Sequence, residues 1–166
     1  MASCPIPGYH LRLGSPLDRA TLVKFMERTY QELDDSLPIQ HLAATVDRYL
    51  SGDTPLWIIE RPRSRGSTIA VGCIWLGQAT DQRSGLLHPY VLLLYVHPDH
   101  RRNGLATELL HTAHQWAQAE GYTQISLQVF SENAPAQALY QKLGYQPEAI
   151  LMKRPISLDG KDLSKP

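Results

Sequence analysis

The chain has 166 residues, of which 43% are hydrophobic, enough for one domain with a sizeable core. Its formal net charge is zero, so it carries no electrostatic footprint for a nucleic-acid or membrane partner. Two distant cysteines and an N-terminus without the charged and apolar regions of a signal peptide lead us to expect a cytoplasmic protein.

Hydrophobic periodicity predicts the elements in chain order. A first strand is expected at residues 9–13, followed by helices at 18–33 and 39–50 and by strands at 56–60, 68–78 and 87–96. An amphipathic helix follows Gly104, then a strand at 125–130, a helix after Asn133 and a closing strand at 146–153. We expect residues 1–154 to form a single domain and residues 155–166 a polar C-terminal tail.

A short basic loop joins the strand at 87–96 to the next helix, in the sequence Val96-His97-Pro98-Asp99-His100-Arg101-Arg102-Asn103-Gly104. Unpaired N–H groups at a helix start and the helix dipole both favour an anion. Gly104 allows the backbone to approach a ligand closely, and Arg101 and Arg102 can bond phosphate oxygens. The segment indicates a phosphorylated ligand, although an ordinary strand-to-helix turn with a solvated basic face explains it equally well in isolation.

The segment after the strand at 125–130 has ordinary structural explanations residue by residue. Asn133 suits a helix N-cap, Pro135 a first helical turn, and Gly144 the left-handed position that ends a helix. Tyr140 has helical spacing from Ala136 and Leu143, which fits a core-facing aromatic residue.

Taken together, the two segments resemble the GCN5-related N-acetyltransferase family over residues 90–147. The cofactor motif of that family is matched by Val96, Pro98, Arg101, Gly104 and Ala106. Its second motif is matched by Asn133, Ala136, Leu139, Tyr140, Leu143, Gly144 and Tyr145. The resemblance implies an α/β (α+β) fold with a central mixed, mostly antiparallel sheet and helices on both faces. The sheet would be splayed between the strand Leu87–Val96 and a strand at residues 123–130, from Thr123 to Phe130.

The same resemblance implies acetyl-CoA as co-substrate and assigns residues to it. The pyrophosphate would lie on the loop and helix start, and the pantetheine arm would pair with the open strand edge and with Asn133. Tyr140 would donate a proton to the leaving thiolate. The implied cofactor-binding residues are Leu94, Tyr95, Val96, Arg101, Arg102, Asn103, Gly104, Leu105, Ala106, Thr107 and Asn133.

The chain departs from the family at both usual positions of the general base. Leu93 stands where many members have glutamate, and Gln128 stands where the ribosomal-protein N-terminal acetyltransferases have it. The loop between the first two helices lines the acceptor pocket in this family, and it offers carboxylates that could attract a cationic amine or take its proton. The candidate substrate-binding residues are Glu32, Asp34, Asp35 and His88, with Tyr90 as a further candidate base. A solvated helix end is the simpler explanation of these carboxylates.

The function expected is transfer of an acetyl group to a small-molecule or peptide amine. The alternative is a pseudoenzyme that binds acetyl-CoA without transfer, and a third, weaker interpretation is an unrelated domain for another phosphorylated ligand. We expect no metal, because nothing completes a ligand set around His111 and His114. We interpret the basic cluster at residues 61–65 as a solvated loop, and a homodimer is left open.

Overall fold

The computed structural model describes residues 4–156, which form five strands and four α-helices. The strands are β1 (His10–Leu13), β2 (Leu56–Pro62), β3 (Thr68–Thr80), β4 (Leu87–Val96) and β5 (Ser126–Leu127). The helices are α1 (Arg19–Leu33), α2 (Gln40–Tyr49), α3 (Leu105–Ala119) and α4 (Ala134–Lys142). Apart from β5 and a closing strand, the predicted bounds differ from these by only a few residues.

The strands form one mixed sheet in the order β1-β2-β3-β4-β5. Strands β1 to β4 pair in antiparallel fashion, and β5 lies parallel to β4. The predicted mixed, mostly antiparallel sheet is therefore confirmed. The last strand is much shorter than predicted, because only Ser126 and Leu127 find partners on β4.

Alternation along the strands places a core on each side of the sheet. Cys73 and Trp75 of β3 join Leu93 and Tyr95 of β4 in a cluster with the apolar faces of α1 and α2. Neighbouring residues of β3 point the opposite way, and α3 contributes a fully buried row comprising Leu105, Leu109, Leu110 and Ala113. Each such leucine stabilises the fold by about 2 kcal/mol through the apolar surface that it removes from water. Helices thus lie on both faces, as expected.

An ion-pair network fixes the entry to α1. Arg12 on β1 donates from Nε to Glu60 on β2 at 2.7 Å and from its terminal nitrogens to Asp18 at 2.7 and 3.0 Å. Asp18 also accepts from the backbone of Ser15 in a capping box. The network anchors the start of the helix to the edge of the sheet.

The chain divides into two compact units, one ending at Gln128 and the other beginning at Val129. In the second unit α4 is followed by residues 146–153, which have no regular structure, so the predicted closing strand is wrong. The single domain at 1–154 stays a prediction, and the predicted polar tail lies outside the described residues after position 156.

Within residues 4–156, no helix is both long and apolar enough to cross a bilayer. Nor do any three histidine, cysteine, aspartate or glutamate side chains in that range come together in a way that could hold a metal ion.

Candidate active site

The central strand β4 has one open edge. It pairs with β3 almost along its whole length, but on the other side only Tyr90 and Val91 pair with β5. From Leu92 to Val96 this edge has no strand partner within the described residues. Backbone N–H and C=O groups there can pair with an extended ligand as though a strand were added. This splay is the one that the sequence resemblance implied.

A β-bulge marks the point where the edge opens. Trp75 is opposite Leu93 and Leu76 is opposite Val91, so Leu92 is an extra residue on β4. Bulges increase the local twist of a strand and often lie beside active sites. The bulge falls immediately after the last pair with β5, so the change in twist coincides with the separation of the two strands.

The loop after β4 exposes the start of α3. Gly104 has a left-handed backbone, with φ 81°, and Arg102 also has a positive φ of 65°. The first helical hydrogen bond runs from Glu108 N–H to Gly104 C=O at 3.0 Å, and no side chain caps the helix. The N–H groups of the first turn, at Leu105, Ala106 and Thr107, are therefore outside the helical ladder, where they and the helix dipole favour an anion.

Side-chain hydrogen bonds hold the loop in shape. Asn103 donates from Nδ2 to the carbonyls of His100 and Arg101, at 3.1 and 3.3 Å. His97 accepts at Nδ1 from the Asp99 N–H at 3.3 Å. The amide of Asn103, predicted as a cofactor ligand, is thus engaged with its own loop.

Arg101 is also engaged within the protein. Its Nε donates to the Val96 carbonyl at 2.9 Å, and its terminal nitrogen donates to both carboxylate oxygens of Glu32, at 2.8 and 2.6 Å. Glu32 belongs to α1, so the pair ties the loop to that helix. Arg102 is exposed and forms no ion pair with any residue in the described range. The unneutralised arginine charge of the loop is therefore that of Arg102.

Two of the three carboxylates proposed to attract the acceptor amine are already bonded to other residues of the protein. Glu32 is paired with Arg101, whereas Asp34 accepts from the backbone and hydroxyl of Ser36, at 2.9 and 2.6 Å. Those bonds hold the pKa of Asp34 below its usual value. Asp35 is exposed. Sequence spacing alone did not reveal that two of the three carboxylates already have partners.

Two side chains of β4, those of His88 and Leu93, bear on whether this strand can supply a general base. His88 is buried, with Nε2 at 2.7 Å from the Ser126 hydroxyl, and its Nδ1 has no hydrogen-bond partner within the described residues. Leu93 is only 5% exposed and packs in the apolar cluster with Phe25 and Tyr95. The strand thus carries one buried imidazole and, at the usual position of the base, a buried aliphatic side chain.

Within the second unit, α4 forms as its sequence predicts. Asn133 accepts at Oδ1 from the Ala136 N–H at 3.2 Å, and Gly144 has φ 90°. Tyr140 meets the ring of Tyr145 edge to face, with centroids 5.6 Å apart. Burial raises the pKa of Tyr140, so its hydroxyl keeps its proton through the neutral range.

One feature beside the loop was not expected from the sequence. A small cavity of about 270 Å³ is lined by Arg28, Gln31, Glu32, Tyr95, His97 and Pro98. Arg28 gave no motif signal, because it belongs to the ordinary polar face of an amphipathic helix.

Comparison with known proteins agrees with this architecture. The acetyltransferase (GNAT) family profile matches residues 24–145. Human N-acetyltransferase 8 is 38% identical over 66 residues, which are 40% of this chain and 27% of that protein. The other curated relatives are also matched over less than half of their length.

Solved structures share the fold at low identity. A Pyrococcus furiosus protein with a provisional assignment as an acetyl transferase superposes with a TM-score of 0.71 at 22% identity, over 89% of this chain and 99% of that one. An aminoglycoside N-acetyltransferase in complex with CoA gives 0.64 at 19% identity, over 89% and 94%. Since the family profile covers most of the sequence, the chain belongs to the acetyltransferase (GNAT) family.

Proposed function

We propose that the protein transfers an acetyl group from acetyl-CoA to a primary amine, on a small molecule or a peptide. The observation that carries the proposal is the open edge of β4 leading directly into an uncapped helix start. One surface thus offers strand-like pairing for an amide-containing arm and unpaired N–H groups for a pyrophosphate. Coenzyme A has these two parts in this order.

The residues present fit such a ligand, with roles redistributed from those first expected. The N–H groups of Leu105, Ala106 and Thr107 would hold the pyrophosphate, and Arg102 would supply charge to it. Arg101 would shape the loop through Glu32 and the Val96 carbonyl, since its donors point there. Backbone at Leu94 would pair with the pantetheine arm, and an N–H beside it would stabilise the developing oxyanion.

The chemistry asked of the side chains is modest. A thioester supplies an activated acyl group and a thiolate that is already a fair leaving group. Tyr140 would donate the proton to that thiolate, and its raised pKa keeps the proton available at neutral pH. Holding the amine against the carbonyl contributes much of the rate. The pantetheine assignment of Asn133 concerns its amide N–H₂, because its Oδ1 caps α4.

Amine-dependent release of free thiol from acetyl-CoA tests the proposal. The panel would contain polyamines, amino acids, aminoglycosides, arylalkylamines and peptides with free N-termini, alongside calorimetric binding of acetyl-CoA to the same protein. Release with one class establishes the enzyme and names its acceptor. Failure to bind acetyl-CoA would overturn the proposal.

A second candidate is a module that binds acetyl-CoA without transferring its acetyl group. The burial of Leu93 favours it, because this position cannot relay a proton. Tight binding of acetyl-CoA with no thiol release across the panel would support the module over the enzyme.

A further inference from the structure

A large cavity separates α1 from the hairpin of β2 and β3. Its volume is about 700 Å³, within the range of ordinary ligand sites. Among its lining residues are Lys24 and Arg28 from α1, Arg61 from the end of β2, and Arg63 just after that strand. We call this cavity the basic groove. Arg61 and Arg63, from the cluster interpreted from sequence as a solvated loop, thus line a cavity together with two cations of α1.

The basic groove carries a net positive charge, since, among the described residues, four lysine and arginine side chains but only one carboxylate line it. None of its four lysine and arginine side chains forms an ion pair with a carboxylate inside the described range. Its one lining carboxylate, Asp99, is 83% exposed and faces His97 at 3.8 Å. Burial, Arg61 and His97 lower the pKa of His100, which also lines the groove. In a chain of zero net charge, this concentration of cations indicates an anionic ligand.

The cations form two rows with similar spacing. Lys24 and Arg28 are one helical turn apart, about 6 Å along α1. Arg61 and Arg63 are two residues apart in extended backbone, about 6.6 Å along the chain. Alternate side chains of an extended peptide repeat at about 6.6 Å. The rows therefore match carboxylates at every second residue of an extended chain.

Three backbone donors around the groove are already used. The N–H groups of Arg63, His97 and His100 donate to the carbonyls of Ser67, Val71 and His97, at 2.7, 2.8 and 2.9 Å. Phosphate cradles use backbone N–H groups that converge on one anion. Recognition here would rest on separated side-chain charges, which suits spaced carboxylates better than a phosphate.

We infer that the basic groove binds an acidic polypeptide segment in extended conformation, with carboxylates facing the Lys24–Arg28 and Arg61–Arg63 rows. Thr21, Ser64 and Thr68 also line the groove, and their hydroxyls can bond the peptide backbone. This interaction goes beyond the proposed acetyl transfer and does not depend on it.

Fluorescence anisotropy of a labelled, N-terminally blocked hexaglutamate peptide tests the inference on the full chain. Binding should be weaker at ~500 mM than at ~50 mM NaCl, because exposed charges are screened. The double variants Arg61→Gln/Arg63→Gln and Lys24→Gln/Arg28→Gln should each weaken it about three- to twentyfold. Arg48→Gln/Lys153→Gln, an equal change in net charge on exposed residues elsewhere, should stay within about twofold of wild type.

Four results would overturn the inference. They are equal binding of a hexaglutamine peptide, an equal loss in the control variant, tighter binding of a single-stranded oligonucleotide of the same charge, and displacement of the peptide by coenzyme A. The last would assign the groove to the phosphates of the cofactor. Because the assay reads peptide binding, an absence of acetyl transfer leaves its result unchanged.

Discussion

Replacing Gly104 by alanine measures how much the loop backbone contributes to holding acetyl-CoA. Gly104 has φ 81°, and a Cβ there would meet only Ile6 Cδ1 at 3.7 Å, an ordinary contact. The cost is therefore backbone strain of about 1–2 kcal/mol for a residue with a Cβ in the left-handed region. If the loop keeps its shape, the strain lowers Tm by about 2–8 °C. If the loop relaxes to another conformation, the same free energy is lost from binding, and the Kd for acetyl-CoA rises about 5- to 30-fold.

Gly121 provides a matched control for the same backbone strain. It has φ 82°, and its Cβ position is open, but it lies after the end of α3. Gly121→Ala should lower Tm by a similar amount and leave the acetyl-CoA Kd unchanged. The assays are thermal unfolding without ligand and isothermal titration with acetyl-CoA.

A bulkier variant tests the same assignment in case the loop keeps its conformation with alanine at position 104. A β-branched residue is a genuine outlier at positive φ, so Gly104→Val should force the loop to rearrange. If Gly104→Val bound acetyl-CoA within about twofold of wild type, the assignment of the first-turn N–H groups to the cofactor would be refuted.

Three further predictions concern side chains. Tyr140→Phe should lower kcat more than it raises the Kd for acetyl-CoA, and equal losses would mean that the tyrosine is structural. A double-mutant cycle with Glu32→Gln and Arg101→Gln, measured by urea unfolding, should give a coupling free energy of about 0.5–1 kcal/mol. The coupling should fall at high salt, because both side chains are about 40% exposed. Zero coupling would mean that the pair does not anchor the loop. Arg12 lowers the pKa of Asp18, so this carboxylate adds stability above its unfolded pKa of about 3.9, and that stability is lost as pH falls through the lower folded value. Asp18→Asn should therefore lower Tm at pH 7, and by progressively less as the pH falls below about 3.9, and a loss of equal size throughout would contradict the linkage.

Local patterns predicted most elements, since they report which side chains a helix or strand can bury. The fully buried Leu22 lies on the apolar face of α1, and the fully buried Leu109 lies on that of α3. Successive residues of β3 alternate between the cores on the two sides of the sheet. The prediction of a strand at 146–153 was wrong for a physical reason. A strand exists only through hydrogen bonds to a neighbour, and apolar residues such as Ile150 and Met152 do not reveal whether an edge is available.

The backbone conformation of the loop could be predicted where one residue type requires it. Gly104 signalled its left-handed conformation because few other residues adopt it readily. The partners of charged side chains could not be read in the same way. Arg101 meets Glu32 across 69 positions, and no local pattern distinguishes an arginine that bonds a phosphate from one that is tied to a helix.

The burial of Leu93 bears on which amines can react. A leucine takes no proton, and at 5% exposure its side chain is packed in the core. If none of the other candidate bases takes the proton, the supply of nucleophile for the proposed transfer depends on the share of acceptor that is already uncharged. At pH 7 that share is about one in ten for an α-amino group and about one in 2,500 for a lysine side chain. Under that condition the basicity of the acceptor would become part of its selection in the proposed transfer, and of two amines bound equally well, the less basic one would react more often.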